Sequence, residues 1–197
     1  KEMLKSKKCK VIADVKCSQV LFDEVERLGG EIFMSKTGHS HVKNNLKKLN
    51  ADLAGEMSGH IFFAEDYYGF DDAFFAAIKV LEIIDNNEKK LSDLVDEIPS
   101  VFNTAEIRID CDDNKKFDII KKITERQKKS KKKITDIDGV RVSEKDGWWL
   151  LRASNTQPAI VLRCESLTEK GLEFQKRTVK NELSEFEVDI TEKLISF

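Results

Sequence analysis

Residues 10–34, KVIADVKCSQVLFDEVERLGGEIFM, decide the fold class. Val11 to Val15 is a short apolar run bounded by polar residues, the pattern of a buried strand. Ser18 is placed to cap a helix, in which Leu21, Val25 and Leu28 fall at i, i+4 and i+7 on one face. Gly29-Gly30 stops that helix, and Glu31 to Met34 reads as a second strand. Strand, helix and strand in this order predict helices laid on a largely buried sheet.

The pattern continues downstream. Ser40 is placed to cap a helix with Val42, Leu46 and Leu49 on one face, and Ala51 to Ala54 is a third strand. A turn over Gly55–Gly59 leads to a strand at His60 to Ala64. Asp71 and Asp72 open a helix whose inner face is expected to carry Phe74, Ile78 and Leu81, and a shorter helix covers about Leu91 to Glu97. Pro99 to Thr104 breaks the pattern and marks a domain boundary, giving domains 1–102 and 103–197. Beyond it, Glu106 to Cys111 alternates as a half-buried strand. A helix from about Asp113 to Lys129 is expected to bury Phe117, Ile120 and Ile123. Strands follow at about Ile137–Val142, Trp148–Ala153 and Ala159–Glu165, then a helix from Thr168 to Phe186 that uses Leu172, Val179 and Leu183. The tail from Glu187 is expected to be peripheral. The expected fold is a three-layer α/β domain with a mixed sheet, followed by a smaller α+β domain with an antiparallel sheet and two helices.

Composition removes several classes. The chain has 197 residues with 34 basic and 36 acidic, a net charge of −2, so no field of one sign points to nucleic acid or a membrane surface. The basic run Arg126 to Lys133 has no interleaved aromatics and reads as a solvated helix end. No apolar run approaches the ~20 residues of a membrane span, and Cys9, Cys17, Cys111 and Cys164 lack metal-site spacing. Reduced thiols in a cytoplasmic protein are expected. Because the first residue is Lys and a polar stretch feeds straight into a strand, the chain is expected to be a piece of something longer.

Four loops carry residues poorly suited to plain packing. Lys16, at the carboxyl end of the first strand, is either solvated or placed to meet a phosphate. His39 lies between Gly38 and the expected cap, as a structural histidine or a titrating one. The His39-x-His41 pair opens a helix and points apart, so no metal site is expected. Gly55 and Gly59 let the backbone turn sharply and present Glu56 and Ser58, either in an ordinary turn or to vicinal sugar hydroxyls. Arg152, Ser154, Asn155 and Thr156 form a polar bend whose guanidinium and successive N–H groups suit a phosphate, and Arg163 on the next strand adds charge.

Together these loops resemble the C-terminal half of the α-D-phosphohexomutases, the phosphomannomutase/phosphoglucomutase family. DVKCS (14–18), KTGHSHVK (36–43), GEMSGH (55–60) and RASNTQP (152–158) occur in the family's order, with YGFDD (68–72) and DGVRV (138–142) agreeing. The resemblance implies the family's third domain, which reads the sugar, followed by its fourth, which binds phosphate. It also implies a reaction in which hexose 1-phosphate and 6-phosphate interconvert through a phosphoserine, a bisphosphate intermediate or activator, and Mg²⁺. Glu56 and Ser58 would hold the 3- and 4-hydroxyls. Arg152, Ser154, Asn155, Thr156 and Arg163 would hold the phosphate that stays. Lys16 and His39 would serve as acid, base or charge stabiliser near the transferring end. The TASHNP-like serine loop and DGDGDR-like metal loop of the family are not in this sequence. The implied partners are therefore the missing N-terminal domains and mannose or glucose phosphates, and this part alone is expected to be inactive. Met57 and the SNT bend, where relatives acting on glucosamine phosphate usually have Gln and SGT, favour mannose and glucose, with indifference at carbon 2 as the expectation. The alternative is a stand-alone, non-catalytic phosphosugar-binding module.

Overall fold

A computed structural model describes residues 1–186 and 188; of the tail expected to be peripheral only Val188 lies among them, partly buried against the second unit's core, and the rest falls outside. The backbone parts into two compact units, Lys1–Pro99 and Ser100–Phe197.

In the first unit a short helix α1 (Glu2–Ser6) precedes β1 (Lys10–Asp14), α2 (Gln19–Arg27), β2 (Glu31–Ser35), α3 (His39–Lys48), β3 (Leu53–Gly55), β4 (Ile61–Phe63), α4 (Ala73–Asp85) and α5 (Leu91–Asp96). The sheet order is β2-β1-β3-β4, with β1 parallel to β2 and β3, and β4 antiparallel at the edge. Register explains the layers. Ile12 lies opposite Phe33 and Ala54, and Ala54 opposite Phe62, so one row of side chains crosses the sheet. That row packs with Val42 and Leu46 of α3. Ala13 points the other way, where it packs with Phe22 of α2 and with Ile32 and Met34. The sheet is therefore covered on both faces, as expected.

Details differ from the sequence reading. The buried face of α2 is Phe22 and Val25, with Leu21 exposed. The cap of α3 is Gly38 at φ +117°, not Ser40, which lies inside the helix. Asp72 alone caps α4 by accepting the Phe75 N–H at 2.9 Å, a bond that, ahead of one from Tyr67, holds its carboxyl below the usual range. Phe74, Ile78 and Leu81 are not an inner face: they are 86, 51 and 63% exposed. In AFFAAIKVLEIID apolar residues occur on every side, so the 3.6-residue period does not select a buried stripe.

The second unit holds β5 (Phe102–Asn103), β6 (Ile107–Asp110), α6 (Asp113–Lys128), β7 (Lys133–Thr135), β8 (Val140–Glu144), β9 (Gly147–Ala153), β10 (Ala159–Ser166) and α7 (Glu169–Leu183), followed by a 3-10 turn. All strands pair antiparallel, in the order β5-β10-β9-β8-β7 with β6 also on β10. Trp149, Leu151, Ile160, Leu162 and Cys164 face Ile120 and Ile123 of α6 and Val179 and Leu183 of α7. Phe117 departs from expectation: it is 55% exposed, and Lys116 takes the buried position. The Lys116 stem is buried because its ammonium reaches the Gln157 carbonyl at 2.8 Å.

The opposite face of this sheet carries Trp148, Leu150, Arg152, Arg163 and Glu165. Trp148 donates its indole N–H to Glu165 at 2.8 Å, and the Arg141 guanidinium stacks 3.7 Å from its ring. The basic segment at the end of α6 is met by acids: Arg126 by Glu182 and Glu185, Lys128 by Asp136, Lys132 by Glu144. Among the described residues no helix is long and apolar enough to cross a membrane.

Candidate functional site

The carboxyl ends of parallel strands are where an α/β sheet leaves room for ligands, because the chain there turns away into helices. Three of the four loops occupy such positions: residues 14–18 after β1, 36–38 after β2 and 55–60 after β3. Asp14 joins them. Fully buried, it accepts from the Cys17 thiol at 3.1 Å, the Thr37 hydroxyl at 3.1 Å and the Met57 backbone N–H at 3.3 Å. The Lys16 ammonium, also buried, lies 3.8 Å from the same carboxylate. A charge removed from water needs partners, and here they come from three loops: Lys16 and Cys17 from the first, Thr37 from the second and Met57 from the third.

Glu56 is the second tie. It is buried, and its Oε1 accepts the Gly38 N–H at 2.6 Å. The donor is the helix cap with positive φ, so a residue 18 positions away in sequence caps α3. The other oxygen, Oε2, lies 4.0 Å from Nε2 of His39, the first residue of α3. His60 stands edge-on to His39, with ring centroids 4.4 Å apart. The His60 Nδ1 lies 2.7 Å from Oδ2 of Asp71, which is also 3.4 Å from His39 Nε2. An isolated bridge between Phe62 and Asp71 fixes the backbone there. The cluster thus offers a fixed carboxylate and two half-exposed imidazoles. It can accept hydrogen bonds from hydroxyls.

His39 and Glu56 are therefore adjacent, and Lys16 joins them through Asp14 and Met57. Ser58 is exposed on the turn, one residue before Gly59 at φ +92°. His41 is exposed on α3 and is not part of the cluster. Sequence reasoning gave Asp14, His60 and Asp71 no part in the site, Asp71 being read only as opening a helix. Asp14 carries a local signal, an acid ending a run that is otherwise apolar. His60 and Asp71 do not, since their meeting depends on β4 folding back.

In the second unit Arg152 is the penultimate residue of β9, buried, with its Nε 3.1 Å from Asp138 Oδ2. Asp138 meets the guanidinium at its Nε edge. The bend that follows is organised by Ser154. Its buried hydroxyl oxygen accepts the Thr156 and Gln157 N–H groups at 3.4 and 3.2 Å, while its own N–H reaches the Ala159 carbonyl at 2.9 Å. Two of the successive N–H groups thus close the bend on itself. Asn155 and Thr156 stay exposed at its tip. Arg108 and Lys116 hold Gln157 at its far end. Arg163 lies on the same face as Arg152, opposite Leu150 and one pleat along from the Arg152–Val161 pair, 5.7 Å from the Trp148 ring.

A doubly covered mixed sheet with polar loops at its carboxyl edge is followed in the chain by an antiparallel sheet bearing an arginine-led bend. The chain belongs to the phosphoglucomutase/phosphomannomutase family: residues 1–102 match its alpha/beta/alpha domain III and residues 106–181 its C-terminal domain. It is 42% identical over 173 residues to a phosphomannomutase/phosphoglucomutase of Pseudomonas aeruginosa, covering 88% of this chain and 37% of that protein. A phosphoglucomutase of Neisseria gonorrhoeae is 40% identical over 166 residues, 83% of this chain and 36% of its own length. The crystal structure of a phosphoglucomutase/phosphomannomutase family protein from Burkholderia thailandensis superposes with a TM-score of 0.82 at 36% identity, over 92% of this chain and 39% of that one. The chain thus spans well under half the length of these relatives.

Proposed function

We propose that this chain is the C-terminal, substrate-recognising part of a cytoplasmic phosphomannomutase/phosphoglucomutase, an isomerase that interconverts hexose 1-phosphates and 6-phosphates. Residues 1–102 read the sugar and residues 103–197 grip the phosphate that is not transferred. The observation that carries the reading is Glu56. Its carboxylate is immobilised by Gly38 beside His39, on loops that share Asp14. An oriented acceptor of this kind suits a hydroxyl pair, and Ser58 adds a donor. Arg152, Ser154, Asn155 and Thr156 form the phosphate grip, with Arg163 adding positive charge behind it. Lys16 and His39 stabilise charge or move a proton at the transferring end.

The phosphoserine and the Mg²⁺ ligands belong to N-terminal domains absent from this sequence, so this chain alone is without turnover even with a hexose bisphosphate activator. Reorientation of the bisphosphate needs contacts that serve either end of the sugar. Contacts limited to the 3- and 4-hydroxyls do that and ignore carbon 2, where mannose and glucose differ.

Binding is the direct test. Titrating labelled chain with mannose 6-phosphate or glucose 6-phosphate is expected to shift the amide signals of residues 55–60 and 154–156. Arg152→Gln is expected to weaken binding about 10- to 100-fold, since a charge-assisted hydrogen bond is worth about 1.5–3 kcal/mol. Shifts confined to the basic segment 128–133, or full affinity in Arg152→Gln, would refute the reading.

A further inference from the structure

We propose that His39, Glu56 and His60 form a zinc site laid over the sugar-hydroxyl site, a metal site the sequence did not lead us to expect. One ligand atom from each of the three lies within 4.8 Å of the other two. A tetrahedral zinc ion with Zn–N and Zn–O bonds of about 2.0–2.2 Å has ligand-to-ligand edges of roughly 3.4 Å. Closing the cluster therefore requires side-chain movements of about 1 Å, and both imidazoles are half-exposed and able to make them. Glu56 need not move, because Gly38 already holds its far oxygen.

Donor chemistry selects the ion. Two imidazole nitrogens and one carboxylate oxygen make the set of an open zinc site, with the fourth position left to water. Magnesium and calcium prefer oxygen alone. Asp71 supplies the outer shell: its bond to His60 Nδ1 fixes the ring and would leave Nε2 for the metal, as carboxylates do behind zinc-bound histidines. The N-terminus of α3 opposes a cation with about half a positive charge. Glu56, 4.0 Å from the His39 ring, and Asp71, 3.4 Å from His39 and 2.7 Å from His60, are two carboxylates that outweigh it.

Because zinc would occupy the carboxylate assigned to the sugar hydroxyls, zinc and hexose phosphate should exclude each other. That consequence rests on the proposed function, whereas the metal site does not. The test uses the whole chain stripped of metal. Cobalt(II) added alone is expected to bind one equivalent, with the visible bands of a four-coordinate ion and no thiolate-to-cobalt band, and zinc should displace it. His60→Asn and Glu56→Gln are expected to weaken binding at least ~100-fold, and Asp71→Asn ~10- to 100-fold, with amide spectra confirming that each variant is folded. A thiolate band in the parent chain, or unchanged affinity in folded His60→Asn, would overturn the site. If cobalt binds as expected but saturating glucose 6-phosphate leaves its affinity unchanged, the metal site stands and the sugar assignment falls.

Discussion

Asp14→Ala is expected to destabilise the first unit by about 3–5 kcal/mol, the cost of breaking a buried charged network from one side. The carboxylate is fully buried and serves Cys17, Thr37, Met57 and Lys16. Its removal leaves a buried ammonium beside a void and two loops without their common acceptor. The loss is comparable with the whole stability of a domain of this size, about 5–15 kcal/mol. Asp14→Asn keeps one acceptor oxygen and should lose about half as much. Native-state amide exchange reads the result locally. Amides of β1, β2 and β3 should lose protection, while those of β9 and β10 keep theirs. A change under ~0.5 kcal/mol in β1 would mean that Asp14 is a bystander.

Gly139→Ala should cost the second unit about 3 kcal/mol or more. Gly139 has φ +77°, which alone costs an alanine on the order of 1 kcal/mol. The larger part is steric. A Cβ at this position would lie 2.7 Å from both Cα and Cβ of Arg152, and closer still to the Leu151 carbonyl oxygen. Backbone cannot step aside as a flexible side chain can, so β9 must shift. Gly29→Ala separates the two causes: φ is +83°, but nothing lies within 4 Å, so only the conformational cost of ~1 kcal/mol is expected there. Denaturation midpoints of the two variants give the comparison. Because Asp138 beside Gly139 holds Arg152, the same substitution should also weaken phosphate binding. Equal losses in the two variants would show that crowding against β9 is not what demands a glycine.

What was legible in the sequence follows from which interactions are local. The β1–α2–β2 unit could be read because Val11–Val15 and Gly29-Gly30 carry their signals within a few residues. The cap of α3 was misplaced at Ser40 because its acceptor, Glu56, arrives from β3. Phe117 looked like core because it sits three residues before Ile120. The burial of Lys116 instead depends on Gln157, 41 residues away. Strand β7 (Lys133–Thr135) was missed because its lysine-rich surroundings mask a short edge strand. Within the site, DVKCS and GEMSGH were visible as motifs, but that Asp14 knits them depends on β1 and β3 being parallel neighbours.

The four cysteines give the chain a built-in clock for opening. Burial pushes the Cys164 thiol up to about 12, so almost none is thiolate at neutral pH and an alkylating reagent must wait for the β9–β10 sheet to part. Cys111, only partly buried, reacts ahead of it, and Cys9 and Cys17 report on the first unit. The order in which mass increments accumulate would rank the local opening events of both units in one sample, without any engineered label.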